Sequence, residues 1–143
     1  IGGGAVGLDV VEFFAARKAD ISIVEMMDQI GRDLDPVTKN DTRCMMKKHG
    51  VHQLTKTALL EVKADSFLVK GSEGVYELSF DYGFVCLGMR AKGQLYPQLL
   101  DAFADDDVEI INIGDSQRAR RIIDGTMEGR NILYHLTQRG YLD

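Results

Sequence analysis

Ile1-Gly2-Gly3-Gly4-Ala5-Val6-Gly7 opens the chain, and how this stretch is read decides the fold. Gly2, Gly4 and Gly7 stand at the spacing G-x-G-x-x-G. Each glycine answers a separate need. The first lets the chain turn tightly out of a strand. The second has no Cβ, so a pyrophosphate can approach the backbone. The third lets the next helix pack close on the sheet. That helix aims free N–H groups and the positive end of its dipole at the phosphates, which brings Gly3, Ala5 and Val6 into the candidate site.

Two features downstream raise the motif above a bare glycine turn. A helix is expected from Ala5 to Lys18, with Val6, Val10, Phe13 and Phe14 near helical spacing. Ile21-Ser22-Ile23-Val24-Glu25 then reads as a short buried strand ending in an acid. An acid about 20 residues beyond the glycines is placed to hold the adenosine ribose hydroxyls. Glycine turn, helix, strand and acid together describe one βαβ unit. A dinucleotide fold begins with a buried strand of about five residues before its first glycine. Only Ile1 of such a strand is present and there is no initiator Met, so the expectation is a piece of a longer protein.

With 143 residues the chain can bury one ordinary core. A hydrophobic share of 45% and a charged share of 27% are those of a soluble globular protein. No run is long and apolar enough for a membrane-spanning helix. The net charge of −5 argues against a nucleic-acid partner, which needs a basic surface. Arg118, Arg120 and Arg121 form the one dense basic spot, read as a mainly solvated helix face. Cys44 and Cys86 are far apart and form no C-x-x-C, so no metal site or redox pair is expected. Cys86 is expected in the core. Unpaired thiols fit a reducing, cytoplasmic setting.

Further along, Asp35-Pro36 marks a helix start, an acidic cap followed by proline in the first turn. This helix should run to about His49 and stop at Gly50, with Lys47 and Lys48 in its last turn. From Val51 the apolar period changes to two. Val51 to Thr55 reads as a strand. Leu59 to Lys63, Ser66 to Lys70 and Gly74 to Phe80 read as a β-meander. Phe84-Val85-Cys86-Leu87 is a continuous apolar run, expected as a buried central strand. Gly88 at its carboxyl end allows close approach of a ligand. Beyond Ala91-Lys92-Gly93, a helix is expected over Gln94 to Ala104 and a strand over Val108 to Ile113, running into Gly114-Asp115. A last helix should follow from about Ala119 to Arg139, carrying Ile122, Ile123, Met127, Ile132, Leu133 and Leu136.

Taken together, the chain resembles the carboxyl-terminal part of NADH:flavin oxidoreductases of the 2,4-dienoyl-CoA reductase and enoate reductase type. The matching stretches are the glycine motif with Leu8-Asp9, Ile23-Val24-Glu25, Lys48-His49-Gly50-Val51, Asp81 to Arg90, and Ile113-Gly114-Asp115 followed by Glu128-Gly129-Arg130-Asn131. In that family an old-yellow-enzyme barrel precedes a module similar to pyridine nucleotide-disulfide reductases, with the NAD domain inserted into the FAD domain. The resemblance implies an α/β fold in two parts. Residues 1–92 would be a Rossmann-like NAD(H)-binding domain with a β-meander. Residues 93–143 would be the returning strand and helix of a second, FAD-binding dinucleotide domain. It further implies that Asp115, with Gly114 beside it, contacts the ribityl or phosphate region of the flavin. Asp9 would be the acid near the nicotinamide.

Glu25 would accept from ribose hydroxyls and repel a 2′-phosphate. Met26 and Met27 follow it, and Arg32 is the next arginine, so NADH is expected over NADPH. No general acid, nucleophile or metal is needed, because the cofactors carry the chemistry. Alternatives are an NADH oxidase, a ferredoxin reductase, or a nucleotide-binding module without turnover. Cut from its sheet, the carboxyl-terminal part should dock, pair with another copy or expose an apolar patch. Self-association is expected, as is absence of bound flavin.

Overall fold

The computed structural model describes residues 1–142. They form two compact units, Ile1–Gly88 and the residues from Met89 onward.

The first unit is an α/β arrangement in three layers. Helix α1 spans Ala5–Ala15 and is followed by strand β1, Ser22–Val24. Helix α2 spans Pro36–Lys48 and is followed by β2, His52–Leu54. β1 and β2 pair in parallel, Ser22 opposite His52 and Val24 opposite Leu54. A meander of β3 (Ala58–Val62), β4 (Ser66–Gly71) and β5 (Gly74–Ser79) pairs antiparallel in that order. Side chains alternate across a strand, so neighbours in β1 serve different cores. Ile23 packs with Leu8, Val11, Ile30, Met46 and Val51 on the helix side. Val24 packs with Phe67 and Val69 on the meander side. Each such side chain contributes about 1.5–3 kcal/mol by leaving water.

The start and stop of α2 follow the expected chemistry. Asp35 Oδ1 accepts from the N–H of Val37 (3.0 Å) and Thr38 (3.1 Å), with Pro36 in the first turn. The Thr38 hydroxyl also donates to Asp35 (2.6 Å), and these hydrogen bonds hold the Asp35 carboxyl below its usual range. Gly50 ends the helix at φ +67°, a conformation that costs glycine little.

Helix α1 ends at Ala15, short of the expected Lys18, and it is rotated from the expected stripe. Its buried residues are Gly7, Leu8, Val11 and Ala15, whereas Val6 and Phe13 are exposed. The cause is Gly7, which must face the glycine turn. Arg17 covers Phe13 instead, its guanidinium carbon 3.5 Å from the ring centroid.

Phe84–Leu87 departs from the expected buried strand. Phe84 (41%), Val85 (48%) and Leu87 (69%) are exposed, and Cys86 is only half-buried. One short piece does pair. Ile1 N donates to Phe84 O and Cys86 N donates to Ile1 O, both at 2.7 Å, which is a parallel pattern.

In the second unit α3 spans Leu95–Ala102 and α4 spans Ile122–Gln138, with a short 3₁₀ turn at Gly114–Ser116 between them. The strand expected over Val108 to Ile113 is not formed; no described residue pairs with it, and a strand is defined by its ladder. Neither helix of this unit has a buried residue. Ile122 (91%) and Leu133 (63%) of α4 stand open to solvent. The three arginines lie at Arg118–Arg121, ahead of α4 rather than on a helix face, and Arg120 is paired with Glu128.

Candidate functional site

The glycine turn is fixed by contacts that exclude a side chain at two places. Gly2 has φ +104°, and a Cβ there would collide with the Cys86 carbonyl. A Cβ on Gly7 would collide with the Gly2 carbonyl. The first and third glycines therefore perform the two tasks that the spacing assigns them. Gly4 is different: nothing lies within 4 Å of where its Cβ would be. Its Cβ position is open rather than packed. Gly4 is also the N-cap of α1, and no side chain caps that end. The first backbone N–H groups of the helix, on Ala5, Val6 and Gly7, have no intrahelical acceptor and suit an anion.

Glu25 closes the site from the end of β1. One carboxylate oxygen accepts from Gly3 N (2.7 Å) and the other from Met27 N (2.7 Å). Its backbone is held as well, with Glu25 N donating to Leu54 O (2.9 Å) and Thr57 N to Glu25 O (3.0 Å). Charge-assisted bonds of this kind are about twice as strong as neutral ones. A carboxylate has roughly four acceptor positions, so each oxygen has a second one beyond the bond described. Gly31, at φ +65°, donates to Gly3 O (2.7 Å) and braces the turn from its other side. Neither Met27 N nor Gly31 was legible as a site element. Gly31 carried the only signal, a glycine in the polar connection after β1.

Asp9 is exposed in the second turn of α1, beyond the first turn where a free acid gains most from the dipole. Gly88 has φ +83° with open space at its Cβ position, and it is the last residue of the first unit. The structure thus brings Gly2, Gly3, Gly7 and Glu25 together, with Gly4 open beside them.

Gly114 and Asp115 form a separate cluster in the second unit. Gly114 has φ +65°, and its N–H donates to Glu128 (2.7 Å). Glu128 also takes a hydrogen bond from Arg120, and Asp115 Oδ1 accepts from Arg120 N (3.2 Å). The bond from Arg120, and next that from Gly114, hold the Glu128 carboxyl below its usual range. Glu128 was not singled out by its chemistry, although Asp124 and Glu128 at helical spacing share one face of α4.

The glycine turn meets the fit expected for a dinucleotide: an open middle glycine, an uncapped helix end and a fixed acid with spare acceptor positions. Comparison with known proteins agrees. Residues 1–77 match the family described as pyridine nucleotide-disulphide oxidoreductase. A bilirubin reductase of Mediterraneibacter gnavus is 31% identical over 132 residues, covering 90% of this chain and 20% of that protein. An NADH oxidase of Thermoanaerobacter brockii is 26% identical over 137 residues, covering 95% of this chain and 21% of that protein. Among solved structures, histamine dehydrogenase from a Rhizobium species superposes with a TM-score of 0.70 at 14% identity, covering 91% of this chain and 21% of that one. The chain spans about a fifth of the length of these relatives. No described helix is long and apolar enough to cross a membrane. The family match and the relatives support NAD(P)H and FAD as the cofactors. The fold, the glycine turn with its acid, and a match over more than half its length place the chain in the pyridine nucleotide-disulphide oxidoreductase family.

Proposed function

We propose that residues 1–92 hold NAD(H), and that residues 93–143 complete an FAD-binding domain of the same parent enzyme. The parent is read as a flavin-dependent NADH oxidoreductase of the 2,4-dienoyl-CoA reductase and enoate reductase type. The observation that carries the nucleotide site is the Glu25 carboxylate, held between Gly3 N and Met27 N at 2.7 Å each. When bound, the nicotinamide supplies a hydride that the flavin accepts.

The chain's own residues bind and orient. Gly2 and Gly7 keep the turn tight, and Gly4 leaves the backbone open to the pyrophosphate. The N–H groups of Ala5, Val6 and Gly7 receive its charge. Glu25 takes the ribose hydroxyls and, being an anion, disfavours a 2′-phosphate. Met26 and Met27 beside it are exposed and bring no positive charge. Asp9 stands near the nicotinamide in this reading, and Gly88 lets the cofactor pass close. In the second unit, Gly114 and Asp115 meet the ribityl or phosphate part of the flavin. The exposed apolar face of α4 leads to self-association of this chain on its own. A cytoplasmic setting belongs to the same reading. A second reading, an NADH oxidase, is favoured by the Thermoanaerobacter brockii relative.

Calorimetric titration of the purified chain with NADH and with NADPH tests the site. Saturable NADH binding is expected, with NADPH weaker by about tenfold or more, which is about 1.4 kcal/mol. Equal or tighter NADPH binding would overturn the assigned preference. No binding of either, also after an apolar segment is added ahead of Ile1, would overturn the nucleotide site.

A further inference from the structure

A cavity of about 140 Å³ lies in the first unit, between the connection after β1, helix α2 and strand β2. Neither Gly2 to Gly7 nor Glu25 lines it, so the nucleotide-site reading leaves it unused. Lys39, Arg43 and Met46 fall at i, i+4 and i+7, so one stripe of α2 faces the cavity. Its floor is apolar. Ile30 and Met46 are buried members of the helix-side core, and Leu34 packs against that core.

The rim is polar and largely unused within the protein. Lys39, Thr42 and Arg43 come from α2, Gln53 from β2 and Asp28 from the connection. Lys39 gives one hydrogen bond, to Arg32 O (3.1 Å), and an ammonium has further donors. Among the described residues, the side chains of Thr42, Arg43, Gln53 and Asp28 make no hydrogen bond or ion pair. Two cations, Lys39 and Arg43, stand against one acid, Asp28, so the rim has an excess of one positive charge.

From this lining we infer that the cavity is a binding site for a small organic monoanion, a carboxylate on a short saturated chain. The fork of an arginine matches a carboxylate in two parallel hydrogen bonds. A short chain would leave water by covering Ile30, Leu34 and Met46. A cavity of about 150 Å³ admits benzene, so this one takes about six heavy atoms, the size of butyrate. Inorganic phosphate would meet the cations but leave the apolar floor uncovered. The connection that lines the cavity also braces the glycine turn, since Gly31 N donates to Gly3 O (2.7 Å). An occupant would therefore steady the element behind that turn. The site itself does not depend on nucleotide binding.

Titration of the nitrogen-15-labelled chain with sodium butyrate at constant ionic strength, followed by amide NMR spectra, tests the inference. Saturable shifts are expected at Ile30, Gly31, Arg43 and Gln53, with a single Kd in the millimolar range, the scale for so few atoms. Butyramide has the same shape without the charge and should bind about fivefold more weakly or worse. Arg43→Gln should weaken butyrate by about fivefold. Asp28→Asn removes the opposing acid and should tighten it about twofold. Far-ultraviolet circular dichroism checks that each variant folds, and should one fail, the comparison of butyrate with butyramide decides. Absence of saturation, equal binding of butyramide, or unchanged binding by folded Arg43→Gln would overturn the site. So would inorganic phosphate that binds as tightly as butyrate, because the apolar floor would then play no part.

Discussion

The two units of this chain show opposite ways of holding a glycine in an unusual conformation. In Ile1–Gly88, Gly2 sits against packed backbone, and the layers on both sides of β1 are buried apolar cores. In the unit from Met89 onward, Gly114 is held by a polar group, Glu128 of α4, which is itself paired with Arg120, and neither helix there has a buried residue. All ten buried apolar residues of the described chain belong to the first unit. The difference teaches that apolar periodicity reports which face of a helix wants cover, not whether the cover is present. Helix α4 is amphipathic and capped at Arg121 by a reciprocal bond with Asp124, yet none of its residues is buried, and Ile122, Ile123, Met127 and Leu133 are exposed. Hydrogen bonds and caps contribute about 0.5–2 kcal/mol each, far less than a packed layer.

The largest expected effect comes from forcing a side chain into the packed turn. Gly7→Ala sets a methyl against the Gly2 carbonyl and should cost the first unit about 2–4 kcal/mol. Urea unfolding followed by far-ultraviolet circular dichroism would measure it. A Gly4→Ala control, with open space at its Cβ, should cost little stability. If the two variants unfold alike, the turn is not held by packing.

Next in size is the contrast in protection between units. Amides of β4, around the fully buried Val69, should exchange with solvent on the order of a hundredfold more slowly than those of α4. Mass-spectrometric hydrogen exchange reads this directly. Comparable protection would mean that the apolar face of α4 is covered in solution.

A smaller effect is expected at the acid of the site. Glu25→Gln keeps the shape but loses the charge and half the acceptors that serve Gly3 N and Met27 N. NADH affinity should fall about tenfold, and the gap between NADH and NADPH should narrow. A calorimetric result with the gap unchanged would remove Glu25 from cofactor choice.

The smallest effect lies in the polar unit. The Glu128 carboxyl is held below its ordinary range by Arg120 and Gly114 N–H. A depressed folded value means that its contribution is present above the unfolded glutamate range, about pH 4.3. It is lost as pH falls through the lower, folded value. Gly114 amide exchange, corrected for intrinsic rates, should therefore quicken on acidification below that range and not above it. Glu128→Gln should abolish this pH step.

Much of the first unit was readable because its signals are local. The Asp35-Pro36 start and Gly50 stop of α2 follow from caps, and the meander follows from alternation and turns. Local signals misled where the outcome depends on neighbours. Val6 and Phe13 have helical spacing, but the contact between Gly7 and Gly2 turns a different stripe inward. Phe84–Leu87 and Val108–Ile113 have strand composition, yet composition does not supply a partner strand. Of the site, the glycines and Glu25 were legible because each is required by backbone geometry or charge. Gly31, Met27 N and Glu128 were not, because they act through single hydrogen bonds that leave no pattern along the chain.

By itself the sequence determined the glycine turn, the acid opposite it, the helices and meander of the first unit, and the broad family. These depend on conformations that only glycine adopts easily, and on periods of burial along one element. The tertiary structure alone decided which face of α1 is buried and how both oxygens of Glu25 are engaged. It also decided that no residue of α4 is buried. Those outcomes depend on which surfaces meet, and packing joins residues far apart in the chain through contacts that no local period records.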